Sequence, residues 1–183
     1  EPASDPKAIV QFVHGMTEHA GRYHELAQHL TKEGYLCIAE DHYGHGKTVE
    51  DVDDLGVIPG TWQHIAGNIH KLSLLTKEKY ESLPFILIGN SWGSFLSQFY
   101  MQEWGNEVDG CILIGTTGEF PNLKFTSVLS KIIAFLKGRD QPGKFMTKRT
   151  FGNFNNYFEP VRTKFDWLSR NAAAVDSFIN DPR

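Results

Sequence analysis

Phe85-Ile86-Leu87-Ile88-Gly89-Asn90-Ser91-Trp92-Gly93-Ser94 is the stretch on which the fold turns. Its first four residues are apolar and as long as a buried strand. They run directly into Gly-x-Ser-x-Gly, and Phe95 to Trp104 follows as a helix with an apolar face. Such a pentapeptide between strand and helix is a nucleophile elbow. The backbone must turn sharply there and leave Ser91 strained. Glycine stands at the flanking positions because side chains would collide with the neighbouring strand and helix. The same turn aims the N–H of Trp92 toward the serine hydroxyl. Five-residue patterns recur by chance, so the strand before and the helix after give this one its weight. The competing reading is a strand-to-helix turn with an idle serine.

Ala8 to Val13 is a short apolar run and reads as a buried strand ending in a turn at His14-Gly15. Tyr23 to Lys32 places Leu26, Ala27 and Leu30 at helical spacing, and Gly34 is a plausible stop. Tyr35 to Ala39 is a second strand. A Gly- and acid-rich loop covers Asp41 to Gly60. Trp62, Ile65, Ile69, Leu72 and Leu75 recur every three or four residues, predicting a long amphipathic helix that closes before Pro84. Cys111 to Ile114 is a fourth strand. Strands and helices alternate, and the strands are continuous apolar runs. That pattern predicts a parallel sheet covered by helices on both faces. Active sites on such sheets lie at the C-terminal ends of strands.

Past residue 117 the pattern breaks. Aromatic residues scatter among basic ones, Ser127–Leu136 and Asn171–Ile179 read as helices, and no clear strand appears. Residues 1–117 carry 7 Lys and Arg against 16 Asp and Glu, a net of −9; residues 118–183 carry 11 against 6, a net of +5. We therefore expect an α/β core over 1–117 and a mostly helical cap over 118–183.

The chain has 183 residues, with 40% hydrophobic and 22% charged residues, as in soluble globular proteins. No run approaches the roughly 20 apolar residues of a membrane span. Cys37 and Cys111 lie in apolar runs and read as buried thiols in a cytoplasmic protein. No metal-ligand spacing, cofactor motif or nucleic-acid-binding pattern is recognisable.

Two further motifs carry chemistry. His14-Gly15-Met16 follows the first strand and would bring the Met16 amide near Ser91. The Met16 and Trp92 N–H groups would then form an oxyanion hole. We read His14 as a structural, hydrogen-bonded histidine that holds this loop. Asp41-His42-Tyr43-Gly44-His45-Gly46-Lys47-Thr48 ends like a phosphate-binding loop, but Asp41 stands where such a loop needs glycine. The acidic run from Glu50 to Asp54 would repel phosphate. His42 and His45 have no Cys or carboxylate completing a metal pattern. A structural loop is the expectation here.

His14-Gly15-Met16-Thr17-Glu18-His19-Ala20-Gly21-Arg22-Tyr23, Asp41-His42-Tyr43-Gly44-His45-Gly46 and Gly89-Asn90-Ser91-Trp92-Gly93-Ser94 together resemble the monoacylglycerol lipase and lysophospholipase branch of the α/β-hydrolases, also called serine aminopeptidase S33-like. Leu168-Ser169-Arg170-Asn171 and Asn180-Asp181-Pro182 resemble the cap of that branch. The resemblance implies an α/β-hydrolase fold and a small acyl-ester substrate of the monoacylglycerol or lysophospholipid kind. The aromatic cap suits an acyl chain, and its positive charge suits contact with anionic lipid surfaces. Asn90 stands where the branch usually has His, and Lys47-Thr48 replaces its usual residues after Gly46.

A serine needs a base, and this fold supplies Ser, then Asp or Glu, then His along the chain. All eight histidines here lie at or before His70. Either the acid and the His lie beyond residue 183, or the protein is a non-catalytic binding relative. We expect the former, with about 60–100 residues still to come and a part missing at the start as well. A peptidase or thioesterase using Ser91 is a further alternative. The oligomeric state is open.

Overall fold

In the computed structural model, Ala8–Val13 (β1) and Phe85–Asn90 (β3) pair in parallel at the centre of a four-stranded sheet. Tyr35–Ala39 (β2) flanks β1 and Gly110–Ile114 (β4) flanks β3, giving the order β2-β1-β3-β4, all parallel. The structure describes residues 1–2, 5–58, 60–118, 127–128, 131, 135 and 151–182. Two compact units emerge, Glu1–Gly118 and Glu119–Pro182.

In the first unit, alternation along β1 sends side chains to two faces. Ile9 and Val13 pack with Leu36, Phe85 and Leu87 against Ile65 and Ile69 of Trp62–Lys79 (α2) and Leu96 and Tyr100 of Trp92–Trp104 (α3). Val10, Phe12 and Ile88 face Ala27 and Leu30 of His24–Lys32 (α1). Each face of β1 is thus covered, and all six of its residues are buried. The ends of β1 and β3 are level, since Val13 opposes Gly89. That register sets the turn after β1 beside the turn after β3.

The predicted elements appear with small shifts. A short 3-10 turn over Ala20–Tyr23 precedes α1, and Gly34 takes φ 90° just after it. The strand β3 continues through Gly89 and Asn90, and α3 begins at Trp92. Outer strands depart from the expectation of cover on both faces. In β4, Ile112 and Ile114 share one face of the sheet and remain about half exposed (50% and 46%), whereas Cys111, on the other face, packs against the core.

Gln11 breaks the apolar run of β1 yet is fully buried. Its Nε2 donates to the Ile69 carbonyl at 2.9 Å, and its Oε1 accepts from Ser73 Oγ at 2.8 Å. These bonds tie α2 to the sheet and leave neither amide atom unpaired, as burial requires.

In the second unit, Ala172–Asn180 (α4) is capped by Asn171, whose side chain accepts from the Ala173 N–H. Residues 127, 128, 131 and 135 are helical; the rest of the helix expected over Ser127–Leu136 lies outside the described residues. Phe151, Phe154 and Trp167 pack on one another with ring centroids 4.9–5.7 Å apart. Asn155 fixes this cluster, donating to the Thr163 carbonyl and accepting from the Trp167 N–H.

Ser73→Ala should leave Gln11 Oε1 unpaired and cost about 1–3 kcal/mol, read as a lower denaturation midpoint. Adding Gln11→Leu removes both partners and should recover most of that loss.

Candidate active site

Ser91 joins β3 to α3 with φ 49° and ψ −115°. A residue with a Cβ is strained there, at a cost of about 1–3 kcal/mol. Neighbouring bonds hold it in place. Its N–H donates to the Ile114 carbonyl at 2.8 Å, and its carbonyl accepts from the Ser94 N–H at 2.9 Å and from Ser94 Oγ at 2.5 Å. The flanking glycines are steric necessities. A Cβ on Gly93 would overlap the Val13 carbonyl oxygen and lie 2.6 Å from its carbon; one on Gly89 would lie 2.6 Å from the Gly93 oxygen. Ser91 itself is exposed.

The turn after β1 meets this elbow. A Cβ placed on Gly15 would sit 3.2 Å from the Asn90 carbonyl oxygen and 3.3 Å from Ser91 Cβ. Met16 follows, its side chain half exposed. Trp92 is the first residue of α3, where a backbone N–H has no acceptor within its own helix. Ser91, Trp92 and the turn that carries Met16 are therefore brought to one end of the sheet. Among the described residues, Thr17 is the one other non-glycine with positive φ, at 61°. For a β-branched residue that is a true outlier.

Glu18 is a residue to which sequence reading assigned no role. Its Oε1 accepts from the Gly15 N–H, from the Tyr23 hydroxyl at 2.8 Å and from Asn90 Nδ2 at 2.8 Å. Burial and the Glu18 charge hold the Tyr23 hydroxyl protonated, well above its ordinary range. Its signal in the sequence is its place inside the His14–Tyr23 motif, three residues after Gly15.

Three imidazoles lie beside the elbow. His14 is buried; its Nδ1 is 2.8 Å from the Gly15 carbonyl, and its Nε2 accepts from the His42 N–H at 2.9 Å. That pairing places the proton on Nδ1 and makes His14 a loop-holding group. His42 stacks on His14 at 3.9 Å, and His45 stacks on Trp92 at 5.5 Å. Both ring nitrogens of His42 are buried without a hydrogen bond, with Glu40 Oε1 3.5 Å from Nδ1. Burial, then repulsion from His42, lowers His14 to about 3; burial, then His45, lowers His42 to about 4. Burial also lowers His45. Burial and neighbouring Asp41 raise Glu40 to about 7. Among the described residues, no group of three or more His, Cys, Asp or Glu could hold a metal ion.

The Asp41–Thr48 segment is a structural loop. Asp41 Oδ1 accepts from the Ala20 N–H and Oδ2 from the Lys47 N–H, both at 2.8 Å. Burial works against its ionisation, but these two N–H groups hold it below the ordinary range. The Lys47 amide that would face a phosphate is thus already occupied. Thr48 Oγ1 lies 2.6 Å from the His45 carbonyl and 3.0 Å from that of His42, closing the turn.

A family described as serine aminopeptidase, S33, a class of hydrolases, matches residues 4–183. The chain belongs to this family. It is 30% identical to the monoglyceride lipase of Rattus norvegicus over 186 residues, spanning 100% of this chain and 54% of that enzyme. It is 35% identical to a monoglyceride lipase homolog of monkeypox virus over 101 residues, 53% of this chain and 34% of that protein. Among solved structures, a highly thermostable carboxyl esterase from Bacillus coagulans in complex with glycerol superposes with a TM-score of 0.87. Identity to it is 32%, covering 99% of this chain and 59% of the esterase. The fold is that of the α/β-hydrolases, and the chain spans little more than half the length of the rat enzyme and the esterase.

The histidine environment predicts acid sensitivity. His14 and His42 stay neutral when folded but gain a proton near 6.5 when unfolded, so stability is lost as pH falls below about 6.5. At pH 5 each contributes a loss of about 2 kcal/mol. Glu40 acts oppositely: its raised value favours the folded state as pH falls below 7 and offsets about one of these. A net loss of about 2 kcal/mol between pH 7 and 5 is expected in urea titrations, with the His14 and His42 ring resonances not titrating over that range.

Backbone strain at Ser91 predicts that Ser91→Gly is more stable than Ser91→Ala. A difference of about 1 kcal/mol is expected, measured by denaturant midpoints.

Proposed function

We propose that Ser91 is the nucleophile of a carboxylic-ester hydrolase. The observation that carries this reading is the strained Ser91 at a strand-to-helix elbow, packed against the Gly15 turn. In the proposed reaction Ser91 Oγ attacks the acyl carbonyl, and the alcohol leaves. The Met16 and Trp92 N–H groups stabilise the tetrahedral oxyanion. A histidine beyond residue 183, oriented by an Asp also beyond 183, takes the Ser91 proton and returns it to the leaving alcohol. Water then releases the acid. His14 is unsuited to this work, since both its ring nitrogens are engaged with backbone.

The proposed substrate is an acyl ester of glycerol or a lysophospholipid. Similarity to monoglyceride lipases and to an esterase in complex with glycerol supports that class. Residues 118–183 act as the cap in this proposal. Their net charge of +5 and the exposed Phe135 and Tyr157, at 88% and 84%, suit peripheral contact with an anionic lipid surface. Among the described residues no helix is long and apolar enough to cross a membrane. Cys37 and Cys111 are both free, in keeping with a cytoplasmic enzyme. The family description also favours a second reading, cleavage of aminoacyl amides by the same serine. Relative kcat/KM for acyl-chain esters and aminoacyl amides separates the two.

A fluorophosphonate probe should label the full-length protein, and Ser91→Ala should abolish labelling. Persistent labelling of the variant overturns the assignment. Residues 1–183 alone should show no ester turnover; turnover by that piece would require a base among the eight histidines it holds.

A further inference from the structure

We infer that Glu18 is a positioning residue that holds the oxyanion-hole turn against the elbow, with Asn90 as its anchor. The inference rests on the proposed ester-hydrolase reading. Three observations carry it. First, one carboxylate oxygen gathers donors from three places: the Gly15 N–H in the turn, the Tyr23 hydroxyl beside α1, and Asn90 Nδ2 on the elbow. Second, the segment it spans contains Thr17 at φ 61°, a conformation a β-branched residue does not hold without restraint. Third, Asn90 immediately precedes Ser91, so its side-chain bond to Glu18 links the two halves of the site across 72 residues of sequence.

The physical consequence concerns the Met16 amide. Met16 lies between Gly15, whose N–H is bound by Glu18, and strained Thr17. Without the carboxylate, the turn relaxes toward ordinary φ values and the Met16 N–H leaves its aim. The Trp92 N–H stays, because α3 fixes it. Glu18 touches no reacting atom in this scheme; it acts through the turn. The Asn90 amide donates to it at any ordinary pH, so the clamp requires no protonation event at that end.

The test uses full-length protein, 4-nitrophenyl butyrate as substrate and an alkyl trifluoromethyl ketone as probe. The ketone adds to the serine and presents an oxyanion. Glu18→Ala should lower kcat about 10- to 100-fold with KM changed less than about twofold. Ketone affinity should fall by the same factor as kcat/KM, while binding of the butanoate product is unchanged. Glu18→Gln keeps an acceptor oxygen and should recover most of the rate. Asn90→Ala should show the same pattern more weakly. Should Glu18→Ala fail to fold, Asn90→Ala and Glu18→Gln carry the comparison. If ketone affinity and kcat are unaltered in a folded Glu18→Ala or Asn90→Ala protein, the inference is overturned. Wild-type protein that neither labels nor binds the ketone overturns the ester-hydrolase reading instead.

Discussion

The backbone of Gly93 lies directly against the carbonyl of Val13, and the rest of the core unit is arranged around that approach. It lets α3 start on top of the sheet, close to β1, immediately after β3 ends. A side chain at Gly93 would push the helix away from β1 and open the gap between elbow and turn. Because Val13 and Gly89 are register partners, the same approach fixes the height at which both turns leave the sheet. The serine is thereby placed by contacts among backbone atoms, which have little freedom to drift.

Polar groups near the serine fall into two kinds. Carboxylates do the bridging: Glu18 joins the first turn to the elbow, and Asp41 joins the 41–48 loop to Ala20. Neutral imidazoles do the filling, with His14, His42 and His45 stacked between loop and Trp92. The carboxylates satisfy loop amides that the sheet cannot reach, and among the imidazoles His14 does the same for the His42 N–H. Sequence proximity hides this division, since His42 and Asp41 are adjacent yet one is neutral by burial and the other charged by hydrogen bonding.

Much of this was legible from residue order alone. Continuous apolar runs located β1 to β4, three-four spacing located α2, and Gly89-Asn90-Ser91-Trp92-Gly93 located the elbow, because each signal is local. What stayed hidden depends on partners far along the chain. Gln11 is polar within the apolar run of β1, and nothing near it in sequence shows that Ser73, 62 residues away, satisfies it. Glu18 read as part of a motif without a function until Asn90 was found beside it. Ile112 and Ile114 read as core, but the exposure of one face of an outer strand depends on what packs over that face, and composition does not encode that.

The level ends of β1 and β3 also decide how the site would come apart. Both strands are central and buried, and such strands exchange their amide hydrogens slowly, on the timescale of global opening. The turns at Gly15 and Ser91 grow directly from them. Loss of the serine's geometry by heat is therefore coupled to melting of the whole sheet, so disassembly of the elbow and cooperative unfolding share one transition in this unit.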